Sequence, residues 1–187
     1  MASLISRLIL KLIGWRTVFV PPPGPKSIVL VYPHTSNWDF PTGLLFRFKH
    51  QIFIHWAGKD TLFRWPLRSF FLALGGVPIN RRERSGMVEQ LVAAFARNDS
   101  FHLCITPEGT RAKTDHWKAG FYRIALAAQV PVGLAFIDYG KKCLGIERWV
   151  MLSGDEEADL AMLRDYYATK TARYPEKAGD IRFKPRD

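Results

Sequence analysis

An α/β fold, with a mostly parallel central sheet and helices on both faces, is what this chain predicts, and three observations predict it. After residue 26, short β-rich runs alternate with helical stretches. The runs are apolar at successive positions, so both faces of each strand must be covered. His34, Arg81 and Glu108 each follow directly on such a run, which puts three chemically capable side chains at the carboxyl edge of the sheet, where such folds bind ligands.

The elements follow in order. Residues 2–13 read as an amphipathic helix, with Leu4, Ile5, Leu8, Ile9, Leu12 and Ile13 over about half the circumference. Ser3, Ser6, Arg7 and Lys11 lie opposite, and Leu10 is the exception among them. Twelve residues are too few to cross a bilayer, which takes about twenty. Arg7 and Lys11 interrupt what would be a signal-peptide core, and no small-residue cleavage site follows. The pattern fits a helix lying in a membrane interface. Packing on the domain is the other reading, and one helix can do both. Pro21, Pro22, Pro23, Gly24 and Pro25 form the one linker-like stretch. The chain therefore divides into an arm with its linker, 1–25, and a main domain, 26–187.

In the main domain, 27–32 (SIVLVY) is a strand buried on both faces, 39–50 a helix and 52–57 the next strand. Residues 62–74 read as a helix, unusually aromatic, with Arg64 and Arg68 one turn apart. It suits either a core position or a contact with membrane or acyl chain. Residues 77–80 are a short strand, and 85–97 a helix with Val88, Leu91, Val92 and Phe95 at core spacing. Strand 101–105, helix 120–129, strands 132–137 and 144–152, and helix 156–174 complete the order. A polar tail runs to Asp187.

The chain's 187 residues make a single domain with a sizeable core, and at 48% apolar residues it is not a disordered tail. Twenty-seven basic against 17 acidic residues leave a net charge of +10, which favours an anionic partner: a phospholipid surface, a phosphorylated substrate, acyl-CoA or nucleic acid. The basic residues are scattered and no nucleic-acid motif appears, so nucleic acid is excluded. Cys104 and Cys143 carry neither a disulfide framework nor a zinc pattern. No metal site is expected.

Two segments carry chemistry. In the first, His34 is followed five residues later by Asp39. A free histidine titrates at roughly 6.5, close to the working pH of a general base. A carboxylate on its opposite ring nitrogen sets the tautomer and stabilises the imidazolium that forms. A continuous helix would rotate the two about 140° apart. Pro33 and the polar residues Thr35, Ser36 and Asn37 argue instead for a bend, with His34 on a loop and Asp39 in the first helical turn. The second segment is Pro107-Glu108-Gly109-Thr110-Arg111, a turn carrying an acid and a guanidinium.

With two further blocks, Gly76-Val77-Pro78-Ile79-Asn80-Arg81 and Val130-Pro131-Val132, these segments resemble in order the four sequence blocks of the glycerolipid acyltransferases, best known as lysophosphatidic acid acyltransferases. Ser36, Gly58-Lys59-Asp60 and Lys118-Ala119-Gly120 are similar to family positions as well. The resemblance spans about residues 26–138. Pro33, Thr106 and Leu134 depart from the usual asparagine, phenylalanine and second proline, and mark a side branch, while the histidine, aspartate, glutamate and arginines are intact.

The resemblance implies a glycerol-3-phosphate acyltransferase-like fold in which 26–187 is the catalytic domain. It implies an O-acyltransferase that moves a fatty acyl group from acyl-CoA or acyl carrier protein, as co-substrate and without a cofactor, to a hydroxyl of lysophosphatidic acid or a related lysolipid. His34 takes the hydroxyl proton and Asp39 orients His34. Arg81 and Arg111 bind phosphate, with Lys59 as a third positive charge. Glu108 binds an acceptor hydroxyl or holds Arg111. Gly109 permits a tight turn that exposes backbone N–H groups to the oxyanion, with Thr110 in the same binding turn. The expected location is peripheral, on the cytoplasmic face of a membrane rich in anionic phospholipid. The same chemistry on a non-phosphorus or amine-bearing lipid is the alternative, and a non-catalytic lipid-binding protein is the rival from another class.

Overall fold

The computed structural model describes residues 1–79 and 86–185. Seven strands form one sheet: β1 (Arg16–Phe19), β2 (Lys26–Val31), β3 (His55–Lys59), β4 (Gly76–Ile79), β5 (Phe101–Ile105), β6 (Val132–Asp138) and β7 (Cys143–Val150). Their spatial order is β1-β7-β6-β2-β5-β3-β4. Five strands from β6 to β4 run parallel; β7 is antiparallel to β6, and β1 is parallel to β7. The sheet is thus mostly parallel, as the alternation predicts.

Side-chain alternation along β2 builds a core on each face. Ile28 and Leu30 face one side with Leu103, Val132 and Leu134. There they meet Leu91 and Phe95 of α4 (Gly86–Arg97), Phe121 and Ile124 of α5 (Gly120–Ala128), and Leu160 and Leu163 of α6 (Glu156–Tyr167). Val29 faces the other side, with Ala135, Ile137, Leu144 and Ile146. There it meets Leu10 of α1 (Ala2–Leu12) and Phe46 of α2 (Asp39–His50).

The arm ahead of the proline-rich stretch is tied into this body. Residues 16–19 form the edge strand β1, paired with β7 in register from Arg16↔Cys143 to Phe19↔Ile146. Gly145 makes that pairing possible, because a Cβ there would collide with the Val18 carbonyl. Thr17 fastens the strand to α2: Lys49 Nζ donates to its hydroxyl at 2.7 Å and His50 Nε2 lies 3.0 Å from it.

Helix α1 sits the opposite way round from a core helix. Leu10, the exception on the polar face, is 1% exposed, and Ser6 beside it is buried. Ser3 Oγ donates to the Lys49 carbonyl at 3.1 Å. The apolar stripe faces outward, with Leu4 70% and Leu12 76% exposed.

Three expected elements are shortened for local reasons. The expected helix 62–74 is helical only as a 3-10 turn at Asp60–Leu62 and as α3 (Arg68–Ala73); Pro66 between them lacks the N–H a continuous helix needs. Arg64 and Arg68 therefore do not form a helical stripe. The strand expected at 52–57 begins at His55, and the helix expected to reach residue 174 ends at Tyr167. The tail beyond is built into the protein. Trp117 forms a β-bridge with Phe183, and the Phe183 ring packs on Phe121 and Tyr122 at 6.0 and 5.5 Å.

The orientation of α1 has a measurable consequence. Leu10→Ala is expected to cost about 2–4 kcal/mol in urea unfolding, as for a buried leucine. Leu8→Ala should stay within about 0.5 kcal/mol, since surface substitutions cost little. Equal losses would mean that both faces are packed.

Candidate active site

β2 and β5 are neighbours, so the loops leaving their carboxyl ends are adjacent. His34 lies on the first and Glu108 on the second. The 32–38 loop bends, and α2 starts at Asp39. His34 Nδ1 lies 3.0 Å from Asp39 Oδ2. The same oxygen accepts the Ser36 N–H at 3.0 Å, and Ser36 Oγ accepts the Trp38 N–H at 3.1 Å. A serine followed three residues later by an acid has the spacing of a capping box; here it folds the carboxylate back over the loop that carries the histidine. Asp39 Oδ1 accepts the Tyr139 hydroxyl at 2.7 Å. Nδ1 thus points at an acceptor, and the lone pair of the neutral ring lies on Nε2.

Asp39 is 4% exposed. Burial opposes its charge, but the hydrogen bonds from His34, Tyr139 and Ser36, with the pull of the imidazole, outweigh it and hold the carboxyl below its usual 3.8.

Glu108, at 1% exposure, is engaged at both oxygens. Oε2 accepts the His34 N–H at 2.8 Å, and Oε1 accepts the Gly179 N–H at 2.9 Å. Burial pushes its carboxyl above 4.5, further than the two amides pull it down. Its observed partners are the backbone of the histidine loop and of the tail, and Arg111 is not among them. The tail returns the contact, since Tyr32 Oη donates to the Gly179 carbonyl at 2.9 Å and the Tyr174 N–H donates to Thr35 Oγ1 at 3.2 Å.

Gly109 has a φ of 65°, in the left-handed region. Its N–H closes the turn on the Thr106 carbonyl at 3.1 Å, so this amide is not a free oxyanion donor. A Cβ here would also lie 2.8 Å from Lys118 Nζ. Lys118 thus brings a cation alongside the turn. Thr110 Oγ1 accepts the Ala112 N–H at 3.2 Å. Arg111 is exposed, and among the described residues no carboxylate pairs with it. Lys59 closes β3 at the same sheet edge. Arg81 lies outside the described residues. No cluster of three or more metal-binding side chains occurs among the described residues.

Tyr139 and the tail contacts were invisible to motif reading. The capping-box spacing from Ser36 to Asp39 was the available signal for how the acid reaches the histidine.

The sheet edge thus carries a paired histidine and aspartate beside a Glu-Gly-Thr-Arg turn. Residues 21–133 match the family model described as Acyltransferase, and the chain belongs to that family. No curated protein matches. Among solved structures, the 1-acyl-sn-glycerophosphate (LPA) acyltransferase PlsC from Thermotoga maritima is similar, with a TM-score of 0.58 and 16% identity over 92% of this chain and 80% of that one. At that identity the likeness shows a shared fold.

The Asp39 contacts make a pH prediction. A carboxyl held below 3.8 contributes stability that is present above that pH and is lost as pH falls through the lowered value. The excess melting temperature of wild type over Asp39→Asn should shrink as pH falls below 3.8. Thermal melts of both proteins through that region check it; an excess that grows as pH falls below 3.8 would contradict the assigned contacts.

Proposed function

We propose that this enzyme transfers a fatty acyl group from an acyl thioester of CoA or acyl carrier protein to a hydroxyl of a lysolipid, with lysophosphatidic acid the leading acceptor. The observation that carries the reading is the 3.0 Å contact between His34 Nδ1 and Asp39 Oδ2. It holds the ring so that Nε2 serves as general base. The acceptor hydroxyl gives its proton to Nε2 and its oxygen attacks the thioester carbonyl. The tetrahedral intermediate then collapses, the C–S bond breaks, and the thiolate takes the proton back from the imidazolium.

No acyl-enzyme is required, because holding both substrates together supplies the proximity. The nearby side chains suit this direct route. Ser36 is buried and its Oγ accepts a backbone N–H. Desolvation pushes the Cys104 thiol up to about 12, so it is no thiolate. Arg111 is free to bind phosphate bidentately, and Arg81 and Lys59 are assigned to the same anionic group. Glu108, Gly109 and Thr110 shape the turn that presents Arg111.

The protein works, in this reading, as a peripheral enzyme on an anionic phospholipid surface at the cytoplasmic face. No helix among the described residues is long and apolar enough to cross a membrane. The outward stripe of α1 is flanked by exposed Arg7 and Lys11. Trp65 at 90% exposure, with Leu67 and Phe70, offers a second apolar surface. Both hang on α2, through Ser3 to the Lys49 carbonyl and through Arg47 to the Leu74 carbonyl at 2.6 Å. That helix begins at Asp39.

His34→Ala is expected to keep the fold and lower acyl transfer by about two to four orders of magnitude, the usual worth of a general base. The assay uses purified protein, a labelled acyl thioester and a panel of lysolipids with and without phosphate. Turnover close to wild type would end the general-base assignment, and preference for a phosphate-free lipid would replace the acceptor.

Leu8→Glu combined with Leu12→Glu should abolish co-sedimentation with anionic vesicles and leave the circular dichroism unchanged, since neither side chain is packed. Unchanged binding would transfer the membrane contact to residues 62–72.

A further inference from the structure

Tyr139 stands one residue beyond β6, outside the 21–133 span that the family model matches. Its hydroxyl reaches Asp39 Oδ1 at 2.7 Å, on the oxygen that His34 does not use. The ring is held from several sides. Trp15 packs edge-on against it at 5.0 Å, and the Tyr139 backbone N–H donates to the Thr171 carbonyl at 2.9 Å. The Arg173 guanidinium lies 5.7 Å from the ring centroid.

Hydrogen-bond direction follows from the inventory of donors. An ionised carboxylate only accepts, so Tyr139 is the donor to Asp39. The phenol has one hydrogen, and it goes to the carboxylate. Burial, and after it the Asp39 contact, push Tyr139 up to about 12, which keeps the phenol protonated. A carboxylate free to turn about its Cβ–Cγ bond would offer His34 either oxygen at variable angle. A donor on Oδ1 together with the Ser36 amide on Oδ2 removes that freedom.

We propose that Tyr139 is a positioning residue for the His34–Asp39 pair. The proposal rests on the general-base reading of His34. Tyr139 also draws charge from the carboxylate, which limits how strongly Asp39 stabilises the imidazolium. Both effects act on the chemical step and not on substrate binding.

The test compares wild type, Tyr139→Phe, His34→Ala and the double variant in acyl transfer, with pH–rate profiles and melting temperatures. Phenylalanine keeps the packing on Trp15. The expected result for Tyr139→Phe is a kcat about tenfold lower, the scale of one hydrogen bond to a charged group, with KM within about twofold. The acid limb of its profile should move to higher pH. In the His34→Ala background the same substitution should have no further effect, because the group it positions is gone. A wild-type kcat and acid limb in Tyr139→Phe would overturn the proposal, whatever happens to its melting temperature. So would an equal loss in both backgrounds. Should Tyr139→Phe not fold, Tyr139→Met, which also lacks the hydroxyl, reads the same limb, and an unmoved limb overturns the proposal. Full turnover by His34→Ala marks the different failure, that of the general-base reading itself.

Discussion

The buried carboxylate of Glu108 is the point on which the site depends. One oxygen holds the backbone of His34 and the other the backbone of Gly179, so three segments remote in sequence meet at one side chain. The Gly179 bond is buried, and a buried donor left unpaired costs about 1–3 kcal/mol. The glutamate of the Glu-Gly-Thr-Arg turn thus acts as a fastener for the histidine loop. It couples the position of His34 to that of Gly109 and Arg111, whatever their substrate.

Around that fastener the fold supplies a rigid edge. β2 lies in mid-sheet between β5 and β6, with apolar side chains on both faces. A loop leaving such a strand starts from a fixed point, and α2 closes it after seven residues. The tail then locks the assembly from outside, through Tyr32, Thr35 and the Trp117–Phe183 bridge. A precise 3.0 Å contact on a loop is possible because the loop is held at both ends and across its middle.

The legible part of the fold was the part carried by local pattern. Apolar runs located β2, β5 and β6 nearly to the residue, because strands covered on both faces leave no ambiguity of period. The bend between His34 and Asp39 was readable from Pro33 and the polar residues after it. What stayed hidden depended on distant contacts. Arg16–Phe19 has no strand signature of its own, and becomes a strand through the space Gly145 leaves in β7. Tyr139 looks like any residue at a strand end until the sheet carries it to Asp39, a hundred positions away. The backbone partners of Glu108 were hidden for a related reason: a motif names the side chain, while the fold decides which amides reach it. Helix α1 shows the limit of periodicity, which reports that two faces differ and not which of them the protein covers.

The attachment of α1 through β1 bears on mechanics. Three residues separate the end of α1 from a strand hydrogen-bonded to β7, and the Trp15 N–H closes on the Leu10 carbonyl at 2.8 Å. The helix is therefore mounted on the sheet and is not tethered to it by a leash. A tethered helix would let the sheet edge float over a range of heights above whatever surface the helix rests on. A mounted one gives a single height and a single tilt, shared by the outward leucines and by His34. The bare backbone at Gly145 is what separates the two designs, since any side chain there would lift β1 from the sheet and turn the mount into a leash.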